Sequence, residues 1–221
     1  MDNSCVFCDR TKLGERLVSE NNGWYVAATL GQIIGGYALV IPKAHISCMG
    51  VLASHRPGSE TEAMLNITKE VCRALSLEYQ HSTSANPYPV TVFEHGIVGQ
   101  TIKHAHLHLL PTVIDLTPRI RADFPESEFE ELRYAAHLQE LYSKRPKPYL
   151  FWTVPSGKSM VCWNPPAPPQ YLRLIMAELL GYPERGDWRN MEPELDKQLR
   201  QETVDRLKPF FARGPYGLLF L

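Results

Sequence analysis

Lys103-His104-Ala105-His106-Leu107-His108-Leu109-Leu110-Pro111 decides how the rest of this 221-residue sequence is read. Its histidines alternate with apolar residues at the period of a β-strand. The three imidazoles should therefore project from one face while Ala105, Leu107 and Leu109 point the other way, into a core. A row of imidazoles gathers nitrogen nucleophiles, proton carriers and metal ligands in one place. Gly99-Gln100-Thr101, just upstream, adds a second layer of polar groups.

Outward from this stretch, the flanking elements alternate in kind. Val90-Thr91-Val92-Phe93 reads as a strand ending in Glu94-His95-Gly96. Before it, residues 81–89 form a polar, proline-punctuated loop and Arg56-Pro57-Gly58-Ser59 a turn. Ser59 has Glu62 three residues on, a helix-start signature. Met64, Ile67, Val71, Leu75 and Tyr79 then mark one face of a helix. Further upstream, Trp24-Tyr25-Val26-Ala27-Ala28 and Tyr37-Ala38-Leu39-Val40-Ile41-Pro42 are strands punctuated by Gly35-Gly36, and the second delivers Lys43-Ala44-His45. This order predicts an α+β fold: an antiparallel sheet of about five strands with a covering helix, over residues 1–112.

Residues 113–221 read as an extension packed on that domain. Residues 126–144 are charged and helix-prone. Aromatic runs at 149–154 and 159–163 flank Pro155-Ser156-Gly157-Lys158, a hairpin signal. A proline-rich segment at 165–169 precedes a helix over 170–180 stopped by Gly181, and a last helix spans 192–211.

Composition narrows the class. The formal net charge of -1 gives no basic field for nucleic acid or an anionic membrane, and no run approaches the ~18 apolar residues that would span a bilayer. With no signal-peptide pattern, the reading is a cytoplasmic protein in a reducing compartment. Five cysteines include Cys5-Val6-Phe7-Cys8. A redox pair of that spacing normally opens a helix after a strand, so half of a zinc site is the better reading.

His104-Ala105-His106-Leu107-His108-Leu109-Leu110 resembles the His-φ-His-φ-His-φ-φ signature of the histidine-triad superfamily of nucleotide hydrolases and transferases. The resemblance extends through Gly99-Gln100-Thr101 and Leu39-Val40-Ile41-Pro42-Lys43-Ala44-His45 and covers about half of the chain. It implies that His106 attacks an α-phosphate to form a covalent nucleotidyl-histidine, with His108, Gln100 and Thr101 hydrogen-bonding the phosphoryl oxygens. Gly99, Thr29 and Glu94 join Gln100, Thr101, His106 and His108 as expected nucleotide contacts. Thr29 stands where relatives carry an acidic residue for the ribose, and Tyr37 replaces a histidine often found there. Cys5, Cys8, His45 and His104 supply a Cys₂His₂ set for a structural zinc.

The implied function is hydrolysis of an α-phosphate-substituted nucleotide, a dinucleoside polyphosphate or a phosphoramidate. A nucleotidyltransferase or phosphorylase using phosphate or sugar phosphate is the alternative, and a nucleotide-binding regulatory protein with little turnover a third reading. A homodimer is a candidate assembly, with the aromatic hairpin available to cover its face. Lys158, Arg173, Arg185 and Arg189 in the extension are candidates to contact polyphosphate or a second substrate, with surface charge the account of most of them.

Overall fold

The computed structural model describes residues 5–21, 23–52, 59–79, 89–134 and 136–212. The turn at 56–58, the loop over 81–88 and the histidines at 55 and 81 lie outside them.

Eight strands make one sheet where about five were expected: β1 (Leu17–Asn21), β2 (Trp24–Ala28), β3 (Ala38–Pro42), β4 (Thr91–Gly96), β5 (Leu107–Leu110), β6 (Glu128–Leu132), β7 (Tyr149–Thr153) and β8 (Ser159–Trp163). Their order is β1-β2-β3-β5-β4-β7-β8-β6, and every pairing is antiparallel. The additional strands come mainly from the second half of the chain. β7 adds to β4 with Phe93 opposite Trp152 and His95 opposite Leu150, so the sheet runs unbroken across residue 112. β6 falls within the stretch that composition alone makes helix-prone. As an edge strand it leaves Glu128 and Glu131 to solvent, and an edge tolerates that charge.

The helices are α1 (Arg10–Leu13), α2 (Glu60–Tyr79), α3 (Thr117–Asp123), α4 (His137–Lys144), α5 (Tyr171–Leu179) and α6 (Pro193–Ala212). α2 starts where its signature places it, with the Ser59 hydroxyl accepting from the Glu62 amide at 3.2 Å. Its apolar stripe packs on one sheet face: Met64, Ile67, Val71 and Leu75 meet Val26, Val40, Val92, Leu107 and Leu109, beside Val204 and Leu207 of α6. The opposite face carries Leu39, Ile41, Phe93, Leu150 and Trp152, covered by Leu172, Ile175 and Met176 of α5 and Ile120 of α3. Among the described residues, no helix is long and apolar enough to cross a membrane.

Strand alternation hands His108 to the α5 face and Leu107 and Leu109 to the α2 face. The histidines therefore lie beneath an element of the C-terminal half.

Candidate functional site

The histidine stretch enters β5 only at Leu107; His104 closes the bend over 101–104 and His106 immediately precedes the strand. All three are buried, at 0%, 8% and 4% exposure for His104, His106 and His108. Each is held by a different partner, and those partners fix which ring nitrogen carries the proton. A carbonyl can only accept, so the 2.7 Å contact between His106 Nδ1 and the His104 carbonyl puts a proton on Nδ1 and a lone pair on Nε2. His108 Nδ1 lies 2.7 Å from the Tyr37 hydroxyl. Burial pushes that phenol up to about 12, so it stays protonated; with the Arg173 guanidinium donating to its oxygen, its own proton is free for Nδ1, the arrangement that puts the His108 proton on Nε2. His108 Nε2 is buried with no protein partner. His108 stacks on Phe93 with ring centroids 4.6 Å apart.

His95 supplies a fourth imidazole. It follows Phe93 by two on β4, hence on the same face, and its Nε2 accepts from the Leu172 amide of α5 at 3.0 Å. Its proton is on Nδ1. Burial is the main cause that lowers the pKa of these rings: His106 to about 4, His95 to about 3, and His108 well below its ordinary value. Neighbouring imidazoles and the Arg173 guanidinium push the same way. All three are neutral near pH 7, which preserves one nucleophilic lone pair and two N–H donors.

The loop before the histidines bends onto the C-terminal half. Gly99 has a φ of 71°, its carbonyl accepts from the Gln170 amide at 2.9 Å, and a Cβ on it would sit 2.8 Å from the Pro168 oxygen. Glycine is required twice there, for the left-handed backbone and for the close approach. The Gln100 amide donates to the Ser47 carbonyl at 2.8 Å, and Thr101 is exposed. Thr29 is buried with its hydroxyl on the Leu30 carbonyl.

Glu94 does not join the histidines. One step from His95 on β4, it turns to the α2 face and accepts from Tyr149 Oη at 2.6 Å and the Met49 amide at 2.8 Å. That separates it from the expected nucleotide contacts, and period-2 alternation is the reason. Burial raises its pKa to about 7.

Cys5, Cys8, His45 and His104 converge, with one ligand atom from each within 4.8 Å of the others. Cys5 Sγ lies 3.4 Å and Cys8 Sγ 3.6 Å from His104 Nδ1, and Cys8 Sγ 3.1 Å from His45 Nδ1. A tetrahedral ion at about 2.0–2.3 Å from such ligands requires sulfur–nitrogen separations of about 3.5 Å. His104 Nε2 donates to the Pro42 carbonyl at 2.8 Å, which turns the Nδ1 lone pair toward the cluster. The four residues could hold a metal ion.

A family model described as the HIT domain matches residues 10–113. An uncharacterized HIT-like protein of Mycoplasma genitalium is 30% identical over 110 residues, which cover 49% of this chain and 72% of that protein. The chain belongs to the HIT family. An adenosine 5′-monophosphoramidase of Candida albicans is 28% identical over 112 residues, 49% of this chain and 70% of the relative. A zinc finger CCCH domain-containing protein of Oryza sativa is 26% identical over 228 residues. That match takes in 96% of this HIT chain, C-terminal half included, while the chain spans only 35% of the rice protein's length.

Arg173 shows what composition conceals. It is 4% exposed, not a surface charge, whereas Lys158 and Arg189 are exposed. The legible signal was its setting, a lone arginine inside Tyr171-Leu172-Arg173-Leu174-Ile175-Met176. His95, which follows Glu94 and shares its sequence reading as a residue able to reach the phosphates or the ribose, is the one that faces the histidines, oriented by a donor 77 residues downstream.

Proposed function

We propose that this HIT protein hydrolyses nucleotides whose α-phosphate carries a substituent, through a covalent nucleotidyl-histidine at His106. The observation that carries the reading is the proton placement. His106 Nε2 keeps its lone pair because Nδ1 is committed to a backbone carbonyl, while His108 presents Nε2–H beside it. In the first step the His106 Nε2 lone pair forms a bond to phosphorus as the bond from phosphorus to the leaving nitrogen or oxygen breaks, and the leaving group takes up a proton. In the second, a water oxygen bonds to phosphorus, the phosphorus–Nε2 bond breaks and the water proton passes to solvent, restoring neutral imidazole. His108 and His95 donate to the phosphoryl oxygens, and neutral donors at fixed distance stabilise a charge that spreads over those oxygens. The Candida relative's activity makes adenosine 5′-phosphoramidate the first substrate to try.

Cys5, Cys8, His45 and His104 would hold zinc. Four protein ligands leave no open position, so the ion would tie the N-terminal segment to the histidine stretch and leave the reaction to His106.

The test is rapid quench of the protein with labelled adenosine 5′-phosphoramidate, followed by a search for an acid-labile, base-stable adduct. An adduct on wild type that His106→Ala lacks supports the reading. Turnover by His106→Ala at the wild-type rate overturns it. Repeating the assay with inorganic phosphate assigns the acceptor, since a nucleoside diphosphate product means transfer to phosphate in place of hydrolysis.

A further inference from the structure

The C-terminal half brings one buried positive charge to a site otherwise made of neutral imidazoles. Arg173 is 4% exposed, donates from Nη2 to the Gly31 carbonyl at 2.7 Å and from Nε to the Gly186 carbonyl at 3.3 Å, and makes no ion pair among the described residues. Asp187 feels its charge, but that carboxylate is committed to Gln170 and to the Arg189 and Asn190 nitrogens. The guanidinium lies over the Tyr37 ring, 5.1 Å from its centroid. Tyr37 in turn meets His108 Nδ1. Burying a guanidinium without an anion is costly, and two carbonyls and the Tyr37 hydroxyl satisfy only part of its five donors. Tyr37 therefore meets both the guanidinium and His108, whose buried Nε2 has no protein partner.

We propose that Arg173 is the counter-charge of the histidine site and fits it to a singly ionised, substituted phosphate. Resting on the nucleotide reading above, this names the charge class of its substrate. Arg173 acts as a positioning residue: it holds the Gly31 turn and the Tyr37 hydroxyl and lends its field to the phosphate. One guanidinium beside imidazoles whose own partners are an uncharged carbonyl, hydroxyl and amide balances one negative charge. A phosphoramidate or phosphodiester α-phosphate carries one; the nucleoside monophosphate product carries nearly two above its second pKa of about 6. The site therefore gains from the substrate's charge and nothing further from the product's second charge, which favours product release.

The experiment is calorimetric binding of adenosine, AMP methyl ester and AMP at pH 8 to metal-loaded wild type, Arg173→Met, Arg173→Lys and Tyr37→Phe. On wild type, the methyl ester should bind roughly 10- to 100-fold tighter than adenosine and AMP no tighter than the methyl ester. Arg173→Met should lose that gain while its adenosine affinity holds, and Arg173→Lys should restore most of it; a purely structural arginine would leave both variants equally impaired for all three ligands. Tyr37→Phe should lower kcat while the charge discrimination persists. Equal binding of adenosine and its methyl phosphate by wild type overturns the proposal without any variant, as does an Arg173→Met protein of wild-type thermal stability with unchanged discrimination. Charge discrimination without a His106 adduct would instead retain the anion site and remove the hydrolase reading.

Discussion

Replacing Glu94 with glutamine should make the protein's stability less dependent on pH, with an effect that grows toward alkaline pH. Glu94 is fully buried between β4, Tyr149 and the Met49 amide, and burial raises its carboxyl from 4.5 to about 7. The folded-state pKa lies above the unfolded one. The stability associated with the protonated acid is thus fully present below pH 4.5 and is lost as pH rises through about 7. The whole shift corresponds to about 3 kcal/mol, of which about 2 kcal/mol falls between pH 5.5 and 8.5. Glutamine keeps an acceptor for Met49 N–H and never ionises. The difference in melting temperature between Glu94→Gln and wild type should therefore move in the variant's favour by roughly 4–8 °C from pH 5.5 to 8.5. The assay is thermal denaturation followed by circular dichroism, both proteins saturated with metal. A difference that stays flat across this window would show that Glu94 is ionised in the fold, refuting the desolvation argument.

Three further outcomes follow from other parts of the molecule. Cys8→Ser should bring bound metal, measured by elemental analysis, from about one equivalent per chain to near none and lower the melting temperature, since a structural ion's binding energy is folding energy. Gly99→Ala places a Cβ 2.8 Å from the Pro168 oxygen at a φ of 71°, so it should cost about 1–3 kcal/mol in urea denaturation and slow turnover by displacing the Gly-Gln-Thr loop. His95→Phe should leave adduct formation at His106 detectable in the rapid-quench assay but weaken binding of AMP methyl ester, because the ring's shape is retained and its Nδ1–H is lost.

The part of the fold set by local chemistry was legible. The Ser59 cap, the α2 stripe, the strands at 24–28 and 38–42 and the hairpin about residues 155–158 each follow from a pattern of a few neighbouring residues. The site was legible to the same depth: Cys5, Cys8, His45 and His104 meet, and His106 and His108 share a face with ring centroids 4.7 Å apart. What the sequence could not yield were partners remote in the chain. β6 is charged enough to read as helix, and only pairing with β8 makes it a strand. Arg173 reads as surface until α5 docks, and Glu94 reads as a site residue until the start of β4 fixes the register, where a shift of one residue exchanges Glu94 for His95.

That register gives β4 a part in both halves of the molecule. Phe93 stacks under His108 and His95 takes its orienting bond from α5, both on one face, while Glu94 between them anchors Met49 and Tyr149 on the other. β5 and β7 flank β4, so the strand carrying the histidine signature and the first strand of the C-terminal hairpin are held by the same backbone ladder. The proton positions of the site then depend on elements far apart in the chain: the His104 carbonyl for His106, Tyr37 at the entry to β3 for His108, and the Leu172 amide of α5 for His95. Two of those three partners lie in the HIT-matched segment and one lies beyond it. A chain stopping at residue 113 would keep the carbonyl that sets the His106 tautomer but lose both the donor that orients His95 and the Arg173 charge. The C-terminal half therefore belongs to the site's electrostatics as well as to its cover.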